Sequence, residues 1–107
     1  MRKITELTAQ AVVNKENFKC DNTKVVTERG ISKVYLHNNL IAKYNHSRDK
    51  LSITHAGWKT NTTKERLNGL ISTIRSGRDG ISQSKGVWYL KTNDKTISID
   101  DEKWFSL

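Results

Sequence analysis

One amphipathic stripe constrains this chain more than any other feature. Leu67, Leu70, Ile71 and Ile74 recur at the spacing of a single helix face. Thr62 and Glu65 stand where a capping box puts its hydroxyl and its carboxylate. The spacing therefore predicts a helix over 62–76, with Thr62 as N-cap, Gly77 as the stop and Arg75 as a cation in the last turn. Such a stripe must be covered, and the rest of the chain offers mainly short strands to cover it.

Those strands are marked by alternation and by turn residues. Lys24–Thr27 is a β-branched run, and Arg29-Gly30 reads as a turn. In Ile31–His37, Val34 and Leu36 share one face while Tyr35 and His37 share the other. Asn38-Asn39 predicts a hairpin into Leu40–Tyr44, because asparagine tolerates the positive φ of a two-residue turn. Asn45–Asp49 is a turn before a strand over Lys50–His55. Further on, Ile81–Gln83, a Ser84-Lys85-Gly86 turn and Val87–Lys91 form another hairpin, and Thr96–Ile99 adds a strand. A short helix over 3–13 precedes all of these, with Ile4, Leu7, Ala11 and Val12 on its apolar face and Phe18 plugging the exit. The expected fold is α+β, one twisted antiparallel sheet with two helices packed on a face. The 107 residues contain no proline, repeat or low-complexity tract, so a single domain over 1–107 is expected.

Nineteen Lys and Arg oppose eleven Asp and Glu, a formal charge of +8. Asp100, Asp101 and Glu102 gather three of the carboxylates into a segment read as a solvated tail, so the remainder is more basic still. A small domain of this charge attracts polyanions. It has no run of five or more cations, so the fold must assemble any basic surface. The longest apolar run, Val87-Trp88-Tyr89-Leu90, is too short for a bilayer, and no signal-peptide core follows Arg2 and Lys3; no membrane partner is expected.

Catalytic and metal patterns are missing. There is no Gly-x-Ser-x-Gly, no phosphate-binding Gly-x4-Gly-Lys loop, no His-Glu-x-x-His and no Gly-x-Gly-x-x-Gly. His37, His46, His55 and the single Cys20 lack zinc-ligand spacing, and the histidines are read as surface residues. The chain is expected to be no enzyme and to hold no metal or cofactor.

The segment from Trp58 to Arg66 is richer. It sets cations, hydroxyls and an aromatic at a helix N-terminus, where unpaired backbone N–H groups favour an anion. Lys59, Thr63, Lys64, Arg66, Arg75 and Arg78, at the entrance and exit of that helix, are the candidate nucleic-acid-binding residues. Tyr35, Tyr44, Trp88 and Tyr89, interleaved with Lys33, Lys43, Lys85 and Lys91, are candidates for base stacking, although core packing must claim about half of them.

Three stretches carry a resemblance: Asp21–Val25, Leu36–Ala42, and Ala56–Gly69 with its Ala-Gly-Trp-Lys-Thr-Asn-Thr-Thr-Lys-Glu-Arg-Leu-Asn-Gly run. Together with Lys85–Leu90 they resemble a family of small bacteriophage and prophage proteins over most of 18–90. Asn38 stands where that family is expected to have glycine, and the tail after Ile99 falls outside the resemblance. The likeness implies a phage origin and a place in the host cytoplasm, and it implies no catalytic residues. The leading expectation is a phage accessory protein that binds DNA or RNA through a folded basic surface. The alternative is a host-takeover or anti-defence protein that docks on a bacterial protein. One continuous basic face favours the first; an apolar patch with a polar rim favours the second.

Overall fold

Three hairpin turns are built from two successive residues of positive φ: Arg29-Gly30, His37-Asn38 and Lys85-Gly86. That geometry matches the right-handed twist of the strands it joins. In a computed structural model describing residues 2–75, 79–93 and 95–107, the elements run α1 (Lys3–Val13), β1 (Phe18–Cys20), β2 (Thr23–Glu28), β3 (Ile31–Leu36), β4 (Asn39–Asn45), β5 (Lys50–Ile53), α2 (Asn61–Ile74), β6 (Gly80–Ser84), β7 (Val87–Lys91), β8 (Thr96–Ser98) and β9 (Phe105–Ser106). The fold is α+β, as expected. The strands divide into two antiparallel sheets instead of one: a six-stranded sheet ordered β1-β2-β3-β4-β5-β9 and a three-stranded sheet β6-β7-β8. The β3–β4 turn falls one residue earlier than Asn38-Asn39, because Asn39 is already paired with Leu36.

Both helices cover one face of the large sheet. α1 packs on β1, β2, β3 and α2; α2 packs on β4 and also on β6. Val25, Val34, Leu36, Ala42, Leu51 and Ile53 supply the sheet's side of the core, Leu67, Leu70 and Ile71 the helix's side, and Ile81, Trp88, Leu90 and Ile99 the small sheet's side. Ile74 is only half-buried. A bulge at Val34/Tyr35 lets two consecutive residues of β4, Ile41 and Ala42, both be buried. Asn68 of α2 fastens the small sheet at one residue, its Oδ1 accepting from the Ile81 N–H at 2.6 Å and its Nδ2 donating to the Ile81 carbonyl at 3.1 Å.

Three local expectations are corrected. The first is the cap. Thr60, not Thr62, is the N-cap of α2, its Oγ1 accepting from the Thr63 N–H at 3.1 Å. The helix begins one residue earlier as a result, and Glu65 turns to other partners. It ends at Ile74, because Arg75 is extended (φ −110°, ψ 124°); Ser76, Gly77 and Arg78 lie outside the described residues. The second is the inward face of α1, which carries Thr5, Thr8, Ala9, Ala11 and Val12, with Ile4 and Leu7 half-buried. Thr8 satisfies its hydroxyl on the Ile4 carbonyl at 2.6 Å, and Thr5 does so on α2, so both can enter the core. The third is the acidic segment, which is tied down at its first residue. Asp100 Oδ1 accepts from the Trp88 N–H at 2.8 Å and pairs with Lys59 at 2.6 Å. Beyond it, Phe105–Ser106 adds a strand to β5, and the Leu107 N–H donates to the Leu51 carbonyl.

Candidate nucleic-acid interface

The cations at the helix entrance are engaged inside the molecule. Arg66 is 2% exposed. Its Nε donates to Thr23 Oγ1 at 3.1 Å, and its Nη1 donates to Thr5 Oγ1 at 2.7 Å and Glu65 Oε1 at 2.6 Å. Thr63 is buried and shares a hydroxyl contact with Thr60. Lys59 donates to the Gly86 carbonyl and pairs with Asp100. Lys64 donates to Gln83 Oε1 at 3.1 Å, and Arg75 binds Asp49 at 2.8 Å and the Leu107 carbonyl. Of the six residues expected to meet nucleic acid, two are buried, three are held by partners, and Arg78 lies outside the described residues. Arg66 and Thr63 are therefore withdrawn as surface groups: a helix face turned to the core cannot reach a nucleic acid.

The carboxyl groups show the same engagement. Burial raises the pKa of Glu65, but hydrogen bonds from Thr5 and the Arg2 N–H and the charges of Arg66 and Arg2 outweigh it, and the net direction is down. The Lys59 hydrogen bond, then the Trp88 N–H, lowers Asp100. Hydrogen bonds from Tyr44 and Arg75 lower Asp49.

The histidines are structural more than superficial. His55 is buried: the Gly57 N–H donates to its Nδ1 at 3.0 Å, which assigns the proton to Nε2, and Nε2 donates to the Asp100 carbonyl at 2.8 Å. His46 Nε2 lies 2.8 Å from Ser32 Oγ, which also contacts Thr27 Oγ1. Burial, then the charge of Lys15, lowers the His46 pKa. Ser32 is wholly enclosed, so this Ser–His pair ties strands together and offers no open nucleophile. Only His37, in the β3–β4 turn, is exposed. Among the described residues no three His, Cys, Asp or Glu side chains gather as a metal site would require.

The opposite face of the large sheet is very different. Alternation turns Lys19, Lys24, Val26, Lys33, Tyr35, Lys43 and Lys50 away from the helices, while their neighbours enter the core. Register then puts Lys19 directly opposite Lys24, and Lys33 directly opposite Lys43. Glu28 is the one carboxylate at a strand position of this face. None of the five lysines forms an ion pair among the described residues. Two of them lie over aromatic rings instead: Lys24 Nζ is 4.9 Å from the Tyr35 centroid, and Lys43 Nζ is 4.4 Å from that of Trp104, which precedes β9. Like charges directly opposed across a strand pair cost stability, and neither helix covers this face.

Of the aromatics singled out as stacking candidates, Tyr35 alone stands here. Trp88 is buried, Tyr89 lies on the small sheet, and Tyr44 bonds Asp49 on the helix side. Lys33 and Lys43 are legible in the sequence as cations interleaved with the candidate aromatics; that Lys43 shares a face with Tyr35, and that Lys19, Lys24, Lys50 and Trp104 join them, follows only once strand order and register are known. A separate cleft of about 290 Å³ opens beside the start of α2, where Trp58, 57% exposed, stands near Leu36, Ile41 and Thr62.

No helix among the described residues is long and apolar enough to cross a membrane. No curated protein matches the chain, and no solved structure does. The family model of the Kyanoviridae Gp96 protein matches residues 1–106, which takes in the segment after Ile99 that lay outside the resemblance. The chain belongs to the Kyanoviridae Gp96 protein family, a family of small phage proteins.

Proposed function

We propose that this phage protein is a non-catalytic accessory that binds nucleic acid in the host cytoplasm, through the open face of its six-stranded sheet and not through the entrance of α2. One observation carries the reading: among the described residues, the strand positions of a face that neither helix covers hold five lysines against one carboxylate, Glu28, and two pairs of the lysines stand in direct cross-strand opposition. Folding alone disfavours that arrangement. A phosphate backbone laid across the face relieves the repulsion and releases counterions.

The test is a pair of double variants read by gel shift across a salt series. Lys33→Gln with Lys43→Gln should weaken binding to every sequence and lower the salt slope by about 1.4 to 1.8, at ~0.7 to ~0.9 for each phosphate no longer neutralised. It should leave the urea midpoint unchanged or slightly raised, since it removes a repulsion. Lys59→Ala with Lys64→Ala should keep the slope. The reverse pattern would return the site to the helix entrance.

A second reading has its own observation. Trp58 is a large exposed aromatic beside an apolar-floored cleft, a feature that fits docking on a bacterial protein. That reading expects Trp58→Ser to abolish retention of one host protein from nuclease-treated lysate, with no oligonucleotide binding near physiological salt.

A further inference from the structure

The geometry points to single-stranded nucleic acid, seated with its bases on Tyr35 and Trp104, as the ligand of the sheet face; we infer this on the assumption that the face binds nucleic acid at all. Trp104 is 40% exposed, although Phe105 beside it pairs with Ile53 and turns toward the core. Tyr35 is half-exposed on β3. Three strand spacings separate β3 from β9, about 14 Å. Lys43 lies on β4 between them, and Lys33 flanks Tyr35 on β3. The pattern is aromatic, cation, aromatic across one open surface.

Each ring is covered by a lysine ammonium, and such an interaction at an exposed site is weaker than a base stacked on the same ring. A base therefore displaces Lys24 from Tyr35 or Lys43 from Trp104, and the displaced ammonium is left within reach of that nucleotide's phosphate. A recess of about 240 Å³ opens beside Tyr35, lined among others by Lys19, Asp21, Asn22, Lys24 and His37, so that two lysines outnumber its one carboxylate. It offers cations to a phosphate and an amide to a base edge. A duplex can use little of this. Its bases are already stacked on one another, and among the described residues no helix or ribbon stands up from the sheet face to enter a groove.

Fluorescence anisotropy with a labelled 12-nucleotide DNA, its RNA equivalent and the matching 12-base-pair duplex tests the inference. The full chain is used with Tyr35→Ser, Tyr35→Phe, Trp104→Ala and Trp104→Phe, each checked by its urea midpoint. Single strands should bind at least tenfold more tightly than the duplex. Tyr35→Ser and Trp104→Ala should each lower single-strand affinity by about five- to a hundredfold, and the phenylalanine variants should restore most of it. Duplex binding equal to or tighter than single-strand binding would overturn the stacking seat and leave the basic face standing. So would parental single-strand affinity in Tyr35→Ser and Trp104→Ala together. Failure of all three nucleic acids to bind would remove the basic-face reading itself, and this inference with it. The DNA and RNA arms separate the two sources of the same chemistry.

Discussion

Replacing Arg66 by methionine isolates what the structure claims about the helix entrance. Methionine keeps much of the apolar stem and removes the guanidinium. Three acceptors then each lose one donor: Thr23 Oγ1, Thr5 Oγ1 and Glu65 Oε1. Removing one partner of a fully buried pair costs about 3–5 kcal/mol. Glu65 keeps 29% side-chain exposure, and both threonines retain a hydrogen bond of their own, to Glu65 and to Asn22. Rehydration of Glu65 therefore brings the expected loss down to about 2–3 kcal/mol. For a domain of this size that is a fall in Tm of roughly 10–20 °C. Urea unfolding followed by far-ultraviolet circular dichroism measures it at pH 7, with the oligonucleotide affinity of the folded variant taken alongside. The variant should be clearly less stable and bind with the parental salt slope. A midpoint within about 0.5 kcal/mol of the parent, together with a slope reduced by one neutralised phosphate, would show that Arg66 faces solvent and would refute the placement of α2 on α1.

Two further outcomes follow from the same region. Thr60→Ala should cost about 1 kcal/mol through the missing cap, while Thr62→Ala should stay within about 0.5 kcal/mol; equal losses in chemical denaturation would contradict the observed helix start. Glu65 has its folded pKa lowered from an ordinary 4.5, so the stability it contributes is complete above that value and is lost as pH falls toward the depressed one. Glu65→Gln should therefore flatten the acid limb of a Tm-against-pH curve below about pH 4.5, and an unchanged acid limb would show that its neighbours do not hold it ionised.

The strands were legible because alternation and turn chemistry are local. Val34 and Leu36 announced an inward face, and Gly30 and Gly86 announced turns. The strip Leu67, Leu70, Ile71 was legible for the same reason. What escaped was non-local. Thr62 and Glu65 match a capping box, yet Thr60 sits at the helix start and Glu65 meets Arg2 and Thr5 of another segment. Thr5 and Thr8 read as polar positions of α1, but each hydroxyl found a partner and the helix turned that side inward. The division into two sheets also has no local signal, because it is decided by which strands α2 meets on each side. Lys19 and Lys24 are five residues apart in sequence and become direct neighbours only by hairpin register.

The chain's positive charge is sorted by the fold instead of being spread over it. Three carboxylates face the cations around α2: Asp49 holds Arg75, Glu65 holds Arg66 and Asp100 holds Lys59. Each of those pairs also closes the molecule: Arg75 at the end of α2 meets the β4–β5 turn, Glu65 and Arg66 reach Thr5 of α1, and Lys59 just before α2 meets the segment before β9. Cations that brace the structure in this way are poor ligands for a phosphate, because binding one would have to break an interaction the fold uses. The sheet face has the opposite character. Among the described residues none of its lysines is paired with a carboxylate, and two rest on aromatic rings, so a polyanion can recruit them without breaking an ion pair. Sequence charge at a helix N-terminus looks like a binding site because the backbone there favours anions. Here the anions that answer it are the protein's own, and the excess of positive charge is left on the strands.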